Sequence, residues 1–67
     1  MEPIKLRNLK RGDFFTRKPI AEPNERQVLI RGEYVRENKR YSCCHWDDVN
    51  REILLKGETI VYVGFTF

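Results

Sequence analysis

The middle of the chain reads Gln27-Val28-Leu29-Ile30-Arg31-Gly32-Glu33-Tyr34-Val35, then Arg36-Glu37-Asn38-Lys39, then Arg40-Tyr41-Ser42-Cys43-Cys44-His45-Trp46. Two runs rich in β-branched and aromatic residues flank four polar residues, which is the pattern of a β-hairpin. In the first run, Val28, Ile30 and Tyr34 share one face, with Gly32 at the fourth position of that face. Glycine inside a strand indicates a bulge or sharp bend, as barrels need where one strand serves both sheets. Tyr34 and Tyr41 are predicted to face each other across the hairpin.

The N-terminal part of the chain predicts an extended entry, a turn and one strand. Residues 4–11 alternate apolar side chains with cations and then turn, so Leu6 and Leu9 are expected to pack inward. A Gly-Asp turn signal precedes residues 14–18, which predict a strand that ends at a proline. Residues 20–26 have neither helical nor strand periodicity and are predicted to form a loop.

The C-terminal part of the chain predicts two further strands. Residues 47–50 interrupt the strand pattern and predict a single helical or 3₁₀ turn. Residues 51–56 and residues 59–67 then predict strands, and the core-facing side chains of the last strand are Val61, Val63, Phe65 and Phe67. Five closely spaced antiparallel strands predict an all-β fold, a small and partly open SH3-like barrel.

Length and composition restrict the class of protein. The chain has 67 residues, of which 40% are hydrophobic and 34% are charged. Residues 1–67 therefore predict one domain with a thin core, and the chain is too apolar to be disordered. Cys43 and Cys44 are adjacent, and a disulfide between neighbours on a strand would be strained. No stretch has the character of a signal peptide or a membrane span, so a reduced, cytoplasmic protein is predicted.

The positive charge is concentrated near the N-terminus. The net charge is +3; residues 1–20 contain six basic and two acidic side chains, and residues 21–67 contain seven and eight. A cationic track with aromatic platforms is typical of non-specific nucleic-acid binders. The predicted phosphate contacts are Lys5, Arg7, Lys10, Arg11, Arg17 and Lys18, supplemented at the hairpin tip by Arg36, Lys39 and Arg40. The predicted stacking platforms are Tyr41 and Trp46, with Tyr34 and Tyr62 as further candidates.

A protein-binding function is the alternative. Phe14 and Phe15 place one aromatic ring on each face of their strand, and Ile60 and Tyr62 lie opposite the predicted core face of the last strand. Such apolar groups can pair edge to edge in a homodimer or accept a strand from another protein. Elution at twice the monomer mass would favour dimerisation, whereas binding that is lost in moderate salt would favour nucleic acid.

Residues with metal-binding or catalytic chemistry are few. Two cysteines and one histidine fall short of the four converging ligands of a structural zinc site. Cys43 and His45 share a strand face, but a nucleophilic pair also needs an orienting acid, an oxyanion site and a pocket. Asp47 and Asp48 are predicted to cap a turn by accepting backbone N–H bonds. We therefore predict no enzyme activity, catalytic residue, metal, cofactor or small-molecule substrate.

Several short motifs carry a resemblance to known proteins. They are Leu6-x-x-Leu9-x-x-Gly12-Asp13-Phe14, Arg31-Gly32-Glu33-Tyr34, Tyr41, Asp47-Asp48-Val49-Asn50, Lys56-Gly57 and Val61-Tyr62. Together they resemble a group of short bacterial proteins of uncharacterised function that mobile elements or prophages often encode. The resemblance covers most of the chain and implies a compact β fold, but it implies no catalytic or binding residue. The Gly-Asp pair after a leucine-rich segment also resembles the opening of SH3-like modules in ribosomal and transcription proteins.

Overall fold

The computed structural model describes residues 2–65 and folds them into six β-strands and two short 3₁₀ turns. The strands are β1 (Glu2–Lys5), β2 (Phe14–Phe15), β3 (Leu29–Val35), β4 (Arg40–His45), β5 (Asp48–Leu55) and β6 (Ile60–Val63). The 3₁₀ turns are Leu6–Asn8 and Glu25–Gln27. The prediction of an all-β fold is therefore confirmed.

Antiparallel pairing arranges these strands in two sheets. β1 pairs with β6, and β2, β3, β4 and β5 form the second sheet in that order. The sheets meet where Thr16 and Tyr62 exchange two backbone hydrogen bonds, of 3.0 and 2.9 Å. The structure has six strands rather than the predicted five because residues 2–5 pair with β6 instead of remaining an unpaired entry. Within the described residues β1 and β5 do not pair with each other, so the sheets do not close into a barrel.

A bulge in β3 is the main irregularity of the hairpin. Arg31 pairs with Cys43 and Tyr34 pairs with Tyr41, so β3 has one residue more than β4 between these pairs. Gly32 lies in this bulge, which confirms the prediction made from a glycine inside a strand. The pairing of Tyr34 with Tyr41 across the hairpin is also confirmed.

The bulge reverses the alternation of side chains along β3. Before the bulge, Leu29 points into the core and is 3% exposed, whereas Ile30 lies on the opposite face. After the extra residue, Tyr34 lies on the same face as Leu29. The prediction that Val28, Ile30 and Tyr34 share one face is therefore wrong, because a one-residue insertion changes the face of every later residue. Val28 is buried but lies outside the main core cluster.

The core draws on both sheets. Its buried members are Leu6, Leu9, Phe15, Leu29, Cys43, Leu55 and Val61. Leu6 and Leu9 are 0% and 8% exposed, which confirms that they pack inward. In the last strand Val61 is buried and Val63 packs against the cluster, as predicted, but the strand ends at Val63. Phe65 is half-buried, and Phe67 lies outside the described residues.

The connection between β4 and β5 differs from its prediction. In place of a helical or 3₁₀ turn at residues 47–50, a two-residue turn at Trp46 and Asp47 joins the strands, and β5 begins at Asp48. Asp48 Oδ1 accepts a hydrogen bond from the Asn50 N–H at 3.1 Å, so Asp48 accepts a backbone bond as predicted, but it does so inside β5 and not as the cap of a turn. Acidic residues and asparagine favour local turns, but pairing with β4 outweighs that preference here.

The segment before β3 is more ordered than the predicted loop. Its 3₁₀ turn, Glu25–Gln27, is closed by reciprocal hydrogen bonds at its N-terminal end. Asn24 Oδ1 accepts a bond from the Arg26 N–H at 3.0 Å, and Gln27 Oε1 accepts a bond from the Asn24 N–H at 2.9 Å. These bonds satisfy backbone donors that a 3₁₀ turn leaves free, so the segment holds a defined shape despite its irregular sequence.

The strand predicted at residues 14–18 is shorter in the structure. β2 ends at Phe15, and Thr16 forms only the isolated bridge to β6. The Thr16 Oγ1 hydroxyl then donates a 2.7 Å hydrogen bond to the Lys18 carbonyl, which also accepts the Ile20 N–H at 2.9 Å. These local bonds turn the chain away from the sheet.

The hairpin tip contains a residue in a left-handed conformation. Among the described residues other than glycine, only Lys39 has a positive φ, of 54°. This region costs an L-residue roughly 1 kcal/mol, a cost that glycine avoids. We therefore expect Lys39→Gly to raise the free energy of unfolding by about 0.5–1 kcal/mol in urea denaturation. The neighbouring variant Asn38→Gly should instead lower it, and an equal gain from both variants would contradict this explanation.

Candidate functional site

The six predicted N-terminal cations do not gather in one place. Arg7 lines a groove at the hairpin tip together with Tyr41. Arg11 lines a second groove along the bulge of β3. Arg17 and Lys18 line a third groove beside the turn that precedes β3. The concentration of positive charge in the sequence therefore corresponds to three separate surfaces in the structure.

The first groove lies between the hairpin tip and the turn that joins β5 to β6; we call it the tyrosine groove. Its volume is about 550 Å³. The cations that line it are Arg7, Lys39, Arg40 and Lys56. Its other lining residues are Tyr34, Asn38, Tyr41, Gly57 and Glu58. Four cations and one acid therefore face this groove, and its electrostatic character is positive.

Backbone bonds between the two ends of the chain place Arg7 in the tyrosine groove. The Arg7 N–H donates to the Gly57 carbonyl at 3.1 Å, and the Leu6 N–H donates to the Thr59 carbonyl at 2.9 Å. A Cβ atom at Gly57 would lie 3.0 Å from a ring carbon of Tyr41 and 3.1 Å from the Arg7 Cβ. Glycine therefore allows the turn to pack closely against both side chains.

The two tyrosines of the groove differ in their exposure. Their ring centroids are 4.9 Å apart, and the rings are tilted by 58°. The Arg31 guanidinium lies 4.3 Å from the centroid of the Tyr41 ring, so Tyr41 is covered by a cation–π contact as well as by its partner ring. Tyr34 is 47% exposed and presents the more accessible ring. The accessible stacking surface therefore belongs to Tyr34 rather than to the predicted Tyr41.

Glu58 links two of the predicted cations. Its carboxylate lies 3.1 Å from Lys5 Nζ and 2.5 Å from Arg7 Nη1. The hydrogen bond from Lys5 and the positive charge of Arg7 lower the pKa of this carboxyl, which is therefore ionised at neutral pH. Lys5 consequently lies next to the tyrosine groove, but both cations are partly neutralised by Glu58.

The second groove has mixed charge. It is lined by two cations, Arg11 and Arg36, and by three acids, Glu33, Glu37 and Glu52. Arg11 Nη1 lies 3.0 Å from Glu33 Oε1, in an ion pair exposed to solvent. Lys10 is exposed in the turn before β2, where its backbone N–H donates to Asp13 Oδ2 at 2.8 Å. This groove offers an anionic ligand much less than the tyrosine groove does.

Trp46 lies on a different surface from Tyr41. Phe15 points into the core, so Phe14 occupies the opposite face of the second sheet, where it pairs with Ile30. The Trp46 ring packs against Phe14 with centroids 5.4 Å apart and planes tilted by 55°. Phe14 and Trp46 are 39% and 42% exposed. The two predicted stacking platforms are therefore not part of one site.

The Cys43 side chain packs in the core and lacks the surroundings of a reactive thiol. Cys43 is 1% exposed, and its thiol donates a weak hydrogen bond to the Tyr41 carbonyl at 3.8 Å. Burial raises the pKa of the Cys43 thiol, although the backbone of Gly32 and the charge of Arg31 oppose this effect. A raised pKa is the reverse of what a nucleophilic thiolate requires. Within residues 2–65, no three His, Cys, Asp or Glu side chains are grouped so that they could hold a metal ion.

Sequence patterns located part of the tyrosine groove. The hairpin pattern predicted the positions of Lys39 and Arg40 at the tip and the pairing of the two tyrosines. The contribution of Lys56 was not predicted, because it depends on the turn after β5 meeting the 3₁₀ turn after β1. That contact joins residues about fifty positions apart in the chain, and no local pattern encodes it.

No protein-family model matches the chain, and no curated protein or solved structure matches it. The resemblances to short bacterial proteins and to SH3-like modules therefore stay predictions. In the part of the chain that the structure describes, no helix is both long and apolar enough to cross a membrane. Fold and site together define a small all-β domain with a cationic groove that contains an exposed tyrosine.

Proposed function

We propose that this domain is a non-enzymatic binding module that takes single-stranded nucleic acid in the tyrosine groove without sequence preference. The observation that carries the proposal is the convergence of four cations and an exposed tyrosine ring on one groove with a single acid. Proteins that bind single strands non-specifically combine these two features, a cationic path for the phosphates and an aromatic platform for the bases.

Each side chain of the groove has a distinct part in this function. Arg7, Lys39, Arg40 and Lys56 contact successive phosphates, and a base stacks on Tyr34. A tilted partner ring and the Arg31 contact behind it hold the tyrosine pair in place, so little side-chain freedom is lost on binding. Four phosphate contacts to a single strand predict that log K falls with log salt concentration with a slope of about −3.

Of the six predicted N-terminal cations, only those next to the tyrosine groove take part in this binding. Lys5 and Arg7 contribute to its positive field, whereas Lys10, Arg11, Arg17, Lys18 and Trp46 lie elsewhere and make at most secondary contacts. The domain acts in a reducing, cytoplasmic compartment, in which its free cysteines stay reduced.

The architecture proposed for this module is a partly open SH3-like barrel. Two features support it: both sheets contribute to one core, and the bridge from Thr16, the residue after β2, to Tyr62 in β6 connects the sheets at one side. The bulge at Gly32 supplies the bend that a strand needs to serve a curved sheet.

Homodimerisation is the second candidate function. The observation that favours it is the aromatic pair Phe14 and Trp46, which is about 40% exposed on the outer face of the second sheet. A second copy of the chain that packs against this face would bury both rings. Sedimentation equilibrium at micromolar concentration distinguishes the candidates, since a dimer mass supports this function and a monomer mass excludes it.

Glu58→Gln provides a gain-of-function test of the tyrosine groove. The change removes the only acid among the described residues that line the groove, and it releases Lys5 and Arg7 from their ion pairs. We expect binding of a fluorescein-labelled single-stranded 12-mer, measured by anisotropy at low salt, to become roughly 2- to 5-fold tighter. Glu22→Gln makes the same change in net charge at an exposed loop position and should alter the affinity by much less. Equal tightening by both variants would contradict a localised site.

A further inference from the structure

The third groove, which we call the loop groove, contains a second cluster of cations that the proposed function does not use. Arg17 and Lys18 reach it from the turn after β2, and Arg26 reaches it from the 3₁₀ turn before β3. Ile20 and Leu29 supply apolar lining, and His45 borders it at the end of β4. Among the described residues that line this groove there is no acid, so its three cations lack a counter-charge there.

His45, the last residue of β4, also lines the loop groove. Its backbone pairs with that of Leu29, which places the imidazole on the inner side of the second sheet. The Nδ1 atom is buried and has no hydrogen-bond partner among residues 2–65. Because Nδ1 is buried, a ligand in the groove can meet only the part of the imidazole that lines it.

The backbone around the loop groove is held in place before any ligand arrives. The Lys18 carbonyl accepts bonds from Thr16 Oγ1 and from the Ile20 N–H, which fixes the turn that contains Arg17 and Lys18. The reciprocal bonds between Asn24 and the 3₁₀ turn fix the position of Arg26. Cations on a pre-organised backbone lose less entropy when they bind an anion than cations on a mobile loop.

We infer that the loop groove binds one phosphate monoester group. Its oxygens accept hydrogen bonds from Arg17, Lys18 and Arg26, the His45 ring borders the bound group, and the ester carbon lies over Ile20 and Leu29. The planar guanidinium group of arginine matches the geometry of phosphate oxygens, and one phosphate group has enough oxygens and negative charge to bind three cations at once. The groove volume of about 240 Å³ is below the range of pockets that enclose a whole drug-sized ligand, so it accommodates an end group.

The inference goes beyond the proposed function and does not depend on it. The loop groove shares no lining residue with the tyrosine groove. Probes that consist of a single phosphate group do not offer the row of phosphates on which binding in the tyrosine groove relies. Either site can therefore fail its test while the other is supported.

The test is an amide and imidazole NMR titration of the full chain with inorganic phosphate, with thymidine 5′-phosphate and with thymidine. We expect both phosphate probes to shift the amide signals of Arg17, Lys18 and Arg26 and the ring signals of His45, and thymidine to leave them unchanged. The double variant R17Q/R26Q should weaken phosphate binding at least about fivefold. The matched variant R36Q/R51Q, which removes the same charge from other exposed positions, should change it by less than about twofold.

Two sources can supply such a group, namely a free phosphate compound or the phosphorylated end of a nucleic-acid strand. A 5′-phosphorylated trinucleotide and its unphosphorylated twin separate them. If the phosphorylated trinucleotide binds the loop groove more tightly than inorganic phosphate does, the ligand is the end of a strand. If the two bind equally tightly, the ligand is a free phosphate compound. The inference is overturned if neither phosphate probe shifts these signals, or if R36Q/R51Q weakens binding as much as R17Q/R26Q.

Discussion

Replacing Gly32 with alanine is expected to unfold a large part of the population. An added Cβ atom would lie well inside the van der Waals contact distance of the Ser42 carbonyl oxygen, and it would also crowd the Ser42 carbonyl carbon. These are backbone atoms of the paired strand β4, so they cannot move aside as the end of a side chain can. Overpacking of this kind costs about 2–4 kcal/mol, and a domain of this size has only roughly 3–5 kcal/mol of stability.

Gly12→Ala is the matched control for this prediction. Gly12 has a φ of +94°, but a Cβ atom there would meet nothing within 4 Å. Its substitution therefore costs only the strain of a left-handed backbone, roughly 1–2 kcal/mol. Urea denaturation followed by circular dichroism compares the two variants. A Gly32→Ala variant as stable as Gly12→Ala would show that the bulge does not need its close approach to Ser42.

Neutralising three cations of the tyrosine groove is expected to abolish most nucleic-acid binding. The triple variant K39Q/R40Q/K56Q leaves Arg7 as the one lining cation and removes three of the four proposed phosphate contacts. We expect the affinity for a single-stranded 12-mer at low salt to fall roughly 30- to 100-fold. The slope of log K against log salt concentration should fall from about −3 to about −1.

A second triple variant separates the groove from the net charge of the chain. K10Q/K18Q/R51Q removes the same three charges, two lysines and one arginine, from exposed positions outside the tyrosine groove. It should weaken binding of an unphosphorylated strand by only a few-fold and leave the salt slope nearly unchanged. Equal losses in the two triple variants would show that binding follows total charge, and the groove would have no special role.

Local sequence patterns predicted the features that depend on neighbouring residues. The hairpin follows from two β-rich runs around four polar residues, and the bulge follows from a glycine within a strand. The inward packing of Leu6 and Leu9 follows from their spacing, and it is confirmed by their burial. The face assignment of Val28 and Ile30 failed because alternation was counted through the bulge.

Features that depend on distant parts of the chain were not predicted. The pairing of β1 with β6 joins residues 2–5 to residues 60–63, and their pattern shows only that each is extended. The tyrosine groove depends on the same pairing. It brings Arg7 to Gly57, where their backbones form a hydrogen bond, and so places Arg7 and Lys56 along one groove. A charge count along the chain therefore identified the basic segment, but it could not show that only Arg7 and, through Glu58, Lys5 reach the groove.

The most direct test of nucleic-acid binding in the tyrosine groove is an amide NMR titration of the labelled chain with an unphosphorylated single-stranded 12-mer. The titration is run at low and at moderate salt, with the corresponding duplex as a comparison. We expect the largest shifts at Tyr34, Lys39, Arg40, Lys56 and Gly57, a weaker response to duplex, and loss of both responses at moderate salt. A spectrum that stays unchanged at low salt, or shifts that centre on Phe14 and Trp46, would contradict binding in this groove.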